Sequence, residues 1–134
     1  MQLLAGSAVL WTQPALAACF PDGPDTTVCD ANAPNPWGGP IVINNDGTLR
    51  AGTDSAVVAG AITTTANGLV DNSGFTFTLD GNIDGAGSIS SIGLGTLVLN
   101  GDNSFTNLGI NQGAVQVGSN TAAGIGGISI NDNA

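Results

Sequence analysis

The chain has 134 residues with 21 Gly, ten acids that are all Asp, Arg50 as its one cation and no His, giving a formal net charge of -9. A lone cation cannot form the basic stripe that displaces counterions from phosphates, so nucleic acid is not an expected partner. The lack of Glu and Lys excludes coiled coils and helical bundles, and most proton-moving side chains are missing too.

Leu3 to Trp11 is a short uncharged apolar run, too short to span a bilayer as a helix. Thr12-Gln13-Pro14 and then Ala15-Leu16-Ala17, a small-x-small cleavage pattern, come after it. Residues 1–17 are therefore read as a signal peptide, and the missing basic segment before Leu3 implies that its true start lies upstream. Leu16-Ala17-Ala18-Cys19 also matches a lipobox, which would make Cys19 a lipidated N-terminus. Against that, Thr12-Gln13-Pro14 separates the apolar core from the cysteine, and Cys29 lies ten residues on. Two close cysteines in an exported chain read more simply as a disulfide, Cys19–Cys29. A loop of that size contributes roughly 2.5–3 kcal/mol in the chain-entropy view.

Residues 18–40 carry Pro21, Pro24, Pro34, Pro36 and Pro40, and proline cannot donate to a ladder. This segment is expected to be poor sheet material, and to act as a cap whose Trp37 covers the first layer of the strands beyond residue 40. A linker is the alternative.

From Ile41 to Ala134 the chain reads as short strands separated by Gly, Asn and Asp. Phe75-Thr76-Phe77-Thr78-Leu79 alternates apolar and polar, as do Thr96 to Leu99 and Ala114 to Val117. The pairs Val57/Ala59, Phe77/Leu79, Leu97/Leu99 and Val115/Val117 advance by 20, 20 and 18 residues. A second series, Leu69, Ile89, Ile110 and Ile128, keeps step with them. Two strand series advancing together by about twenty residues are the mark of a solenoid in which each repeat is one coil. The expected fold is all-β, a right-handed parallel β-helix of about four to five coils with an N-terminal disulfide-containing cap. Its inward columns would be Val57-Phe77-Leu97-Val115 and Leu69-Ile89-Ile110-Ile128, with Gly and Asn at the corners. The next strand of the first series falls due near the last residue, so the sequence is expected to be the N-terminal piece of a longer protein, truncated at its C-terminal side.

Residues 77–118 also carry a recognisable motif. Gly93-Leu94-Gly95-Thr96-Leu97-Val98-Leu99-Asn100-Gly101-Asp102-Asn103-Ser104-Phe105 runs on to Ile110-Asn111-Gln112-Gly113-Ala114-Val115-Gln116-Val117-Gly118. This resembles the passenger-associated repeat of bacterial autotransporters, G-x-G-T-L-x-L-x-G-x-N-[ST]-[YF] and then a link and x-I-x-x-G-x-L-x-V-G. The link is shortened to Asn107-Leu108-Gly109, and Ser91 replaces a Lys common ahead of the core. The resemblance implies a passenger of type V secretion, carried across the outer membrane by its own C-terminal β-barrel translocator, which is not in this chain. It implies a Gram-negative cell surface, the outer membrane or the medium as location. It gives no ligand, and a host or cell-surface partner is left open.

Catalysis has few ingredients. Some β-helix proteins are polysaccharide lyases, and here Arg50 with Asp46 and Asp54 would have to serve, although Asp46-Gly47 is an ordinary turn pair. Ser and Thr have no His to activate them. The nonapeptide period of calcium-binding solenoids is missing from Gly81-Asn82-Ile83-Asp84-Gly85 and Gly124 to Gly127, which read as turns. Gly85-Ala86-Gly87 reads as a coil turn and not as a phosphate loop. No catalytic residue, cofactor or metal is therefore expected. The reading is a non-enzymatic, surface-displayed stem that supports secretion, folding and adhesion or spacing. The alternative is the N-terminal part of a carbohydrate-active β-helix enzyme whose catalytic coils lie downstream.

Overall fold

A computed structural model describes residues 19–30 and 36–131, and the expected signal peptide lies outside the described residues. Every element among them is a strand: β1 (Cys19–Pro21), β2 (Thr26–Cys29), β3 (Ile41–Ile43), β4 (Gly47–Ala51), β5 (Ala56–Val58), β6 (Ile62–Thr64), β7 (Gly68–Asp71), β8 (Thr76–Leu79), β9 (Ile83–Gly85), β10 (Ile89–Ile92), β11 (Thr96–Leu99), β12 (Leu108–Ile110), β13 (Ala114–Val117) and β14 (Ile128–Ile130). They fall into three sheets, ordered β9-β6-β3, β14-β12-β10-β7-β4-β2-β1 and β13-β11-β8-β5. All pairings are parallel except β1 with β2. The chain is a parallel β-solenoid of about five turns; from β3 to β11 the strands visit three faces in the same order, and above β11 they continue on two of them.

Alternation builds the interior. In β8 and β11, Phe77, Leu79, Leu97 and Leu99 are fully buried while Thr78 and Val98 point out. Each inward side chain lies on its equivalents one rung away, about 4.8 Å distant, forming columns such as Ala56-Phe77-Leu97-Val115 and Ile41-Ile62-Ile83. Where a turn must reverse quickly, left-handed backbone appears, as at Ser73 and Gly74 with φ of 53° and 85°.

Several expectations need correction. The first series is shifted by one residue at its lower end: Ala56 pairs with Phe77 and Val58 with Leu79, so Val57 and Ala59 are not the inward pair. The step there is 21, because the corner between β7 and β8 takes one more residue than its counterpart above: Phe77 lies nine residues after Gly68, whereas Leu97 lies eight after Ile89. The second series mixes columns. Leu69 pairs with Ser90 on the outer surface, while Gly68 lies beneath Ile89. Ile110 pairs with Ser91, and Ile89 pairs instead with Leu108. Ile43 and Ile89 fill the space inside Gly68, where an added Cβ would lie 2.8 Å from Ile43 Cγ2.

The third face, β3, β6 and β9, was not among the expected series, and Ile83-Asp84-Gly85 within the supposed turn is itself a strand. The Pro-rich segment also joins the sheet. β2 contains no proline and pairs with β4, and Pro21 ends β1 on the outermost edge, where its missing donor costs no ladder bond. Trp37 packs against the core and makes a parallel bridge with Val58, so it forms the lowest rung of the β5 face.

Candidate functional site

The two cysteines are brought together at the base of the column. Cys19 and Cys29 stand directly opposite across the antiparallel pair, with Cα atoms 4.0 Å apart, and are disulfide-bonded. Both are buried in the core cluster beneath Ala51, which pairs with Cys29. The bridge thus forms the bottom apolar layer of the seven-stranded face. It also takes up the Cys19 sulfur that a lipid thioether would require.

Arg50 does not meet the acids proposed for it. Its Nε lies 3.5 Å from Asp71 Oδ2 and its Nη1 lies 4.0 Å from Asp22 Oδ2, both on the outer surface. Asp46 sits in a corner with φ of 59°, and Asp54 Oδ1 accepts from the Thr76 amide at 2.8 Å. Both acids therefore serve corners. An exposed pair of this kind contributes about 0–1 kcal/mol. Among the described residues no three His, Cys, Asp or Glu side chains are grouped so as to hold a metal ion.

The polar groups instead form ladders between coils. Asn100 Nδ2 donates to Asp80 Oδ1 at 2.7 Å, Ser104 Oγ to Asp84 Oδ1 at 2.8 Å and Thr121 Oγ1 to Asp102 Oδ1 at 2.6 Å. Asn131 donates to Asn111 in the same way. In each of the first three rungs a neutral donor meets a carboxylate, which relieves the repulsion that stacked acids would suffer.

Two asparagines act from inside. Asn72 Oδ1 accepts from the amides of Gly74 at 3.0 Å and Gly95 at 2.8 Å, tying one corner to the coil above. Asn103, 3% exposed, accepts from the Ile83 amide at 2.8 Å and donates to the Ala122 carbonyl at 2.7 Å. It replaces a strand rung with a side chain. Sequence reasoning did not single out either one, although Asn103 is the Asn of the repeat motif.

Two adjoining hollows, of about 440 and 310 Å³, run along one corner of the seven-stranded face and share Ser88 and Ser90. Asn67, Asn107 and Ser129 add amides and a hydroxyl, and Asp46 is the one carboxylate lining them. Such a furrow can exchange hydrogen bonds but brings together no acid–base pair. No protein family, curated protein or solved structure matches the chain.

Proposed function

We propose that the chain is the exported, non-enzymatic stem of an autotransporter passenger, displayed at a Gram-negative surface by a C-terminal β-barrel and supporting passenger folding. One observation carries this reading: the motif from Gly93 to Gly118 coincides with just over one turn of the solenoid, and its residues have coil-specific duties. Gly95 and Gly101 lie against the coil below, where an added Cβ would stand 2.1 Å from the Phe75 carbonyl oxygen and 2.3 Å from that of Gly81. Leu97, Leu99 and Phe105 are fully buried. Asn103 bridges two coils, and Ile110 and Val115 pack against the core. A motif whose close-packed glycines, buried leucines and bridging Asn serve stacking describes a structural unit, and its stacking logic suits a passenger that grows coil by coil. Outward Thr, Ser and Asn side chains suit adhesion or spacing.

The test is display. The chain, fused ahead of an autotransporter β-barrel, is expected to become accessible to antibody on intact Gram-negative cells, with its N-terminus cleaved after Ala17. Deleting residues 93–118 is expected to lower display by several fold. Retention of the intact fusion in the periplasm, with the barrel correctly inserted, would overturn the proposal.

A further inference from the structure

We propose that the Cys19–Cys29 bridge latches β1 over a self-complementary strand edge: with the bridge closed the chain is monomeric, and with it reduced β1 leaves and β2 pairs antiparallel with β2 of a second copy. This inference is independent of the autotransporter reading.

β1 has little else to hold it. It is three residues long, and only Cys19 of the three is buried. Phe20 is 37% exposed. The hairpin turn adds one bond, from the Asp22 amide to the Thr26 carbonyl at 2.8 Å. An antiparallel pair of this length is marginal without a cross-link.

β2 is differently placed. It pairs along its whole length with β4, and the carbonyls of Asp25 and Cys29 accept from Thr48 and Gly52 at 2.7 and 2.6 Å. Backbone bonding alternates along a strand, so residues 25, 27 and 29 face β4, while Thr26 and Val28 face β1. Removing β1 leaves the backbone groups of Thr26 and Val28 unpaired at the base.

β1 also shows that this edge accepts an antiparallel strand. Two β2 strands related by a two-fold axis would pair Thr26 with Val28 of the other copy, both with edge-facing backbone groups. The two Thr27 side chains would meet at the axis, a favourable cross-strand pair. Such a contact uses the same patch twice and closes at two copies. Apolar surface adds to it. A hollow of about 190 Å³ at the base is walled by Phe20 and Pro21 of β1 together with Trp37, Pro40, Ile41 and Val42. When β1 leaves, this hollow opens toward the partner. Asp22 and Asp25 of both copies would lie near the contact, so salt is expected to strengthen it.

The chemical step is a thiol–disulfide exchange. A dithiol supplies two electrons and two protons, the Sγ–Sγ bond breaks to two thiols, and the dithiol becomes a cyclic disulfide. The experiment compares the 134-residue chain by light scattering after size exclusion, with and without dithiothreitol, beside the variant Cys19→Ala/Cys29→Ala. Circular dichroism follows its strand content. The oxidised chain is expected at its monomer mass of 13.1 kDa. The reduced chain and the variant are expected at twice that mass, with tighter association at about 0.5 M than at about 0.05 M salt. Adding Val28→Pro, which removes an edge-facing donor, is expected to restore the monomer. Hydrogen exchange gives a second readout: the Val28 amide is expected to be protected in the dimer and to exchange freely on dilution. A reduced monomer with unchanged strand content would overturn the proposal. So would open-ended growth beyond two copies, or loss of strand signal on reduction, which would make the bridge a staple for the whole fold.

Discussion

Asn103 holds its place with two hydrogen bonds that no apolar residue can replace. Truncation in Asn103→Ala would strand the Ile83 amide and the Ala122 carbonyl in a site from which water is excluded. Each orphaned group costs about 1–3 kcal/mol, so the variant is expected to lose about 2–4 kcal/mol. This is read as a lower urea midpoint at unchanged slope; an unmoved midpoint would mean that the bonds contribute nothing net. Ser91 presents the opposite case. It is fully buried, in register with Val70 below and Ile110 above, and its hydroxyl has no protein partner. Ser91→Ala removes the unpaired group at the loss of one oxygen atom's packing. A gain of about 1 kcal/mol is expected, seen as a melting point raised by roughly 4 °C. A lowered melting point would show that the hydroxyl is satisfied by bound water.

At the level of the coil, the spacing between stacked backbones decides which glycines can be replaced. A Cβ at Gly101 meets the Gly81 carbonyl oxygen at 2.3 Å, and that oxygen belongs to the coil below and cannot swing aside. Gly38 has no atom within 4 Å of the same position. Gly101→Ala is therefore expected to cost about 2–4 kcal/mol and Gly38→Ala to stay within about 0.5 kcal/mol, both measured by chemical unfolding. Equal effects would mean that the coils can part to admit a methyl group. The same close stacking explains what the sequence disclosed. The β8, β11 and β13 rungs were legible because Phe77, Leu97 and Val115 each begin an alternating apolar pair on a period of about twenty. β3, β6 and β9 were not, because strands of three residues give too short a pattern, and Ile83-Asp84-Gly85 imitates a turn. Leu69 misleads because its size suggests burial: the inward residue is Gly68, whose missing side chain makes room for Ile43 and Ile89. Arg50 showed no preference for its partners in sequence, since Asp22 and Asp71 lie 28 residues before it and 21 after it and meet it only through the stacking. The disulfide was legible from spacing, but its place inside the lowest layer depends on a strand that the prolines obscured.

Over the whole molecule, each coil touches only its neighbours, so stability is transmitted along the axis rung by rung. The two ends are unlike. At the base, β2 lies between β4 and the disulfide-held β1. At the other end of the described coils, Val117, Ile128 and Ile130 are 51%, 55% and 69% exposed, and β14 pairs on one side only, with β12. Midway, Ile62, Leu79, Ile83, Ile89 and Leu97 are fully buried, and β7 and β10 have partners on both sides. A rung with one neighbour opens at the cost of one interface, whereas a central rung opens only if the column parts. Native-state hydrogen exchange is therefore expected to show protection that is lowest in β13 and β14, climbs through β12 and is greatest in β7 and β10. β4 is expected to stay close to that maximum, because the latched base keeps its lower side paired. Reduction should then lower protection at β2 only on dilution, when the dimer has dissociated, while leaving β7 and β10 unchanged. If all strands exchanged at one common rate, the solenoid would be a single cooperative unit, and the nearest-neighbour picture of its stability would be wrong.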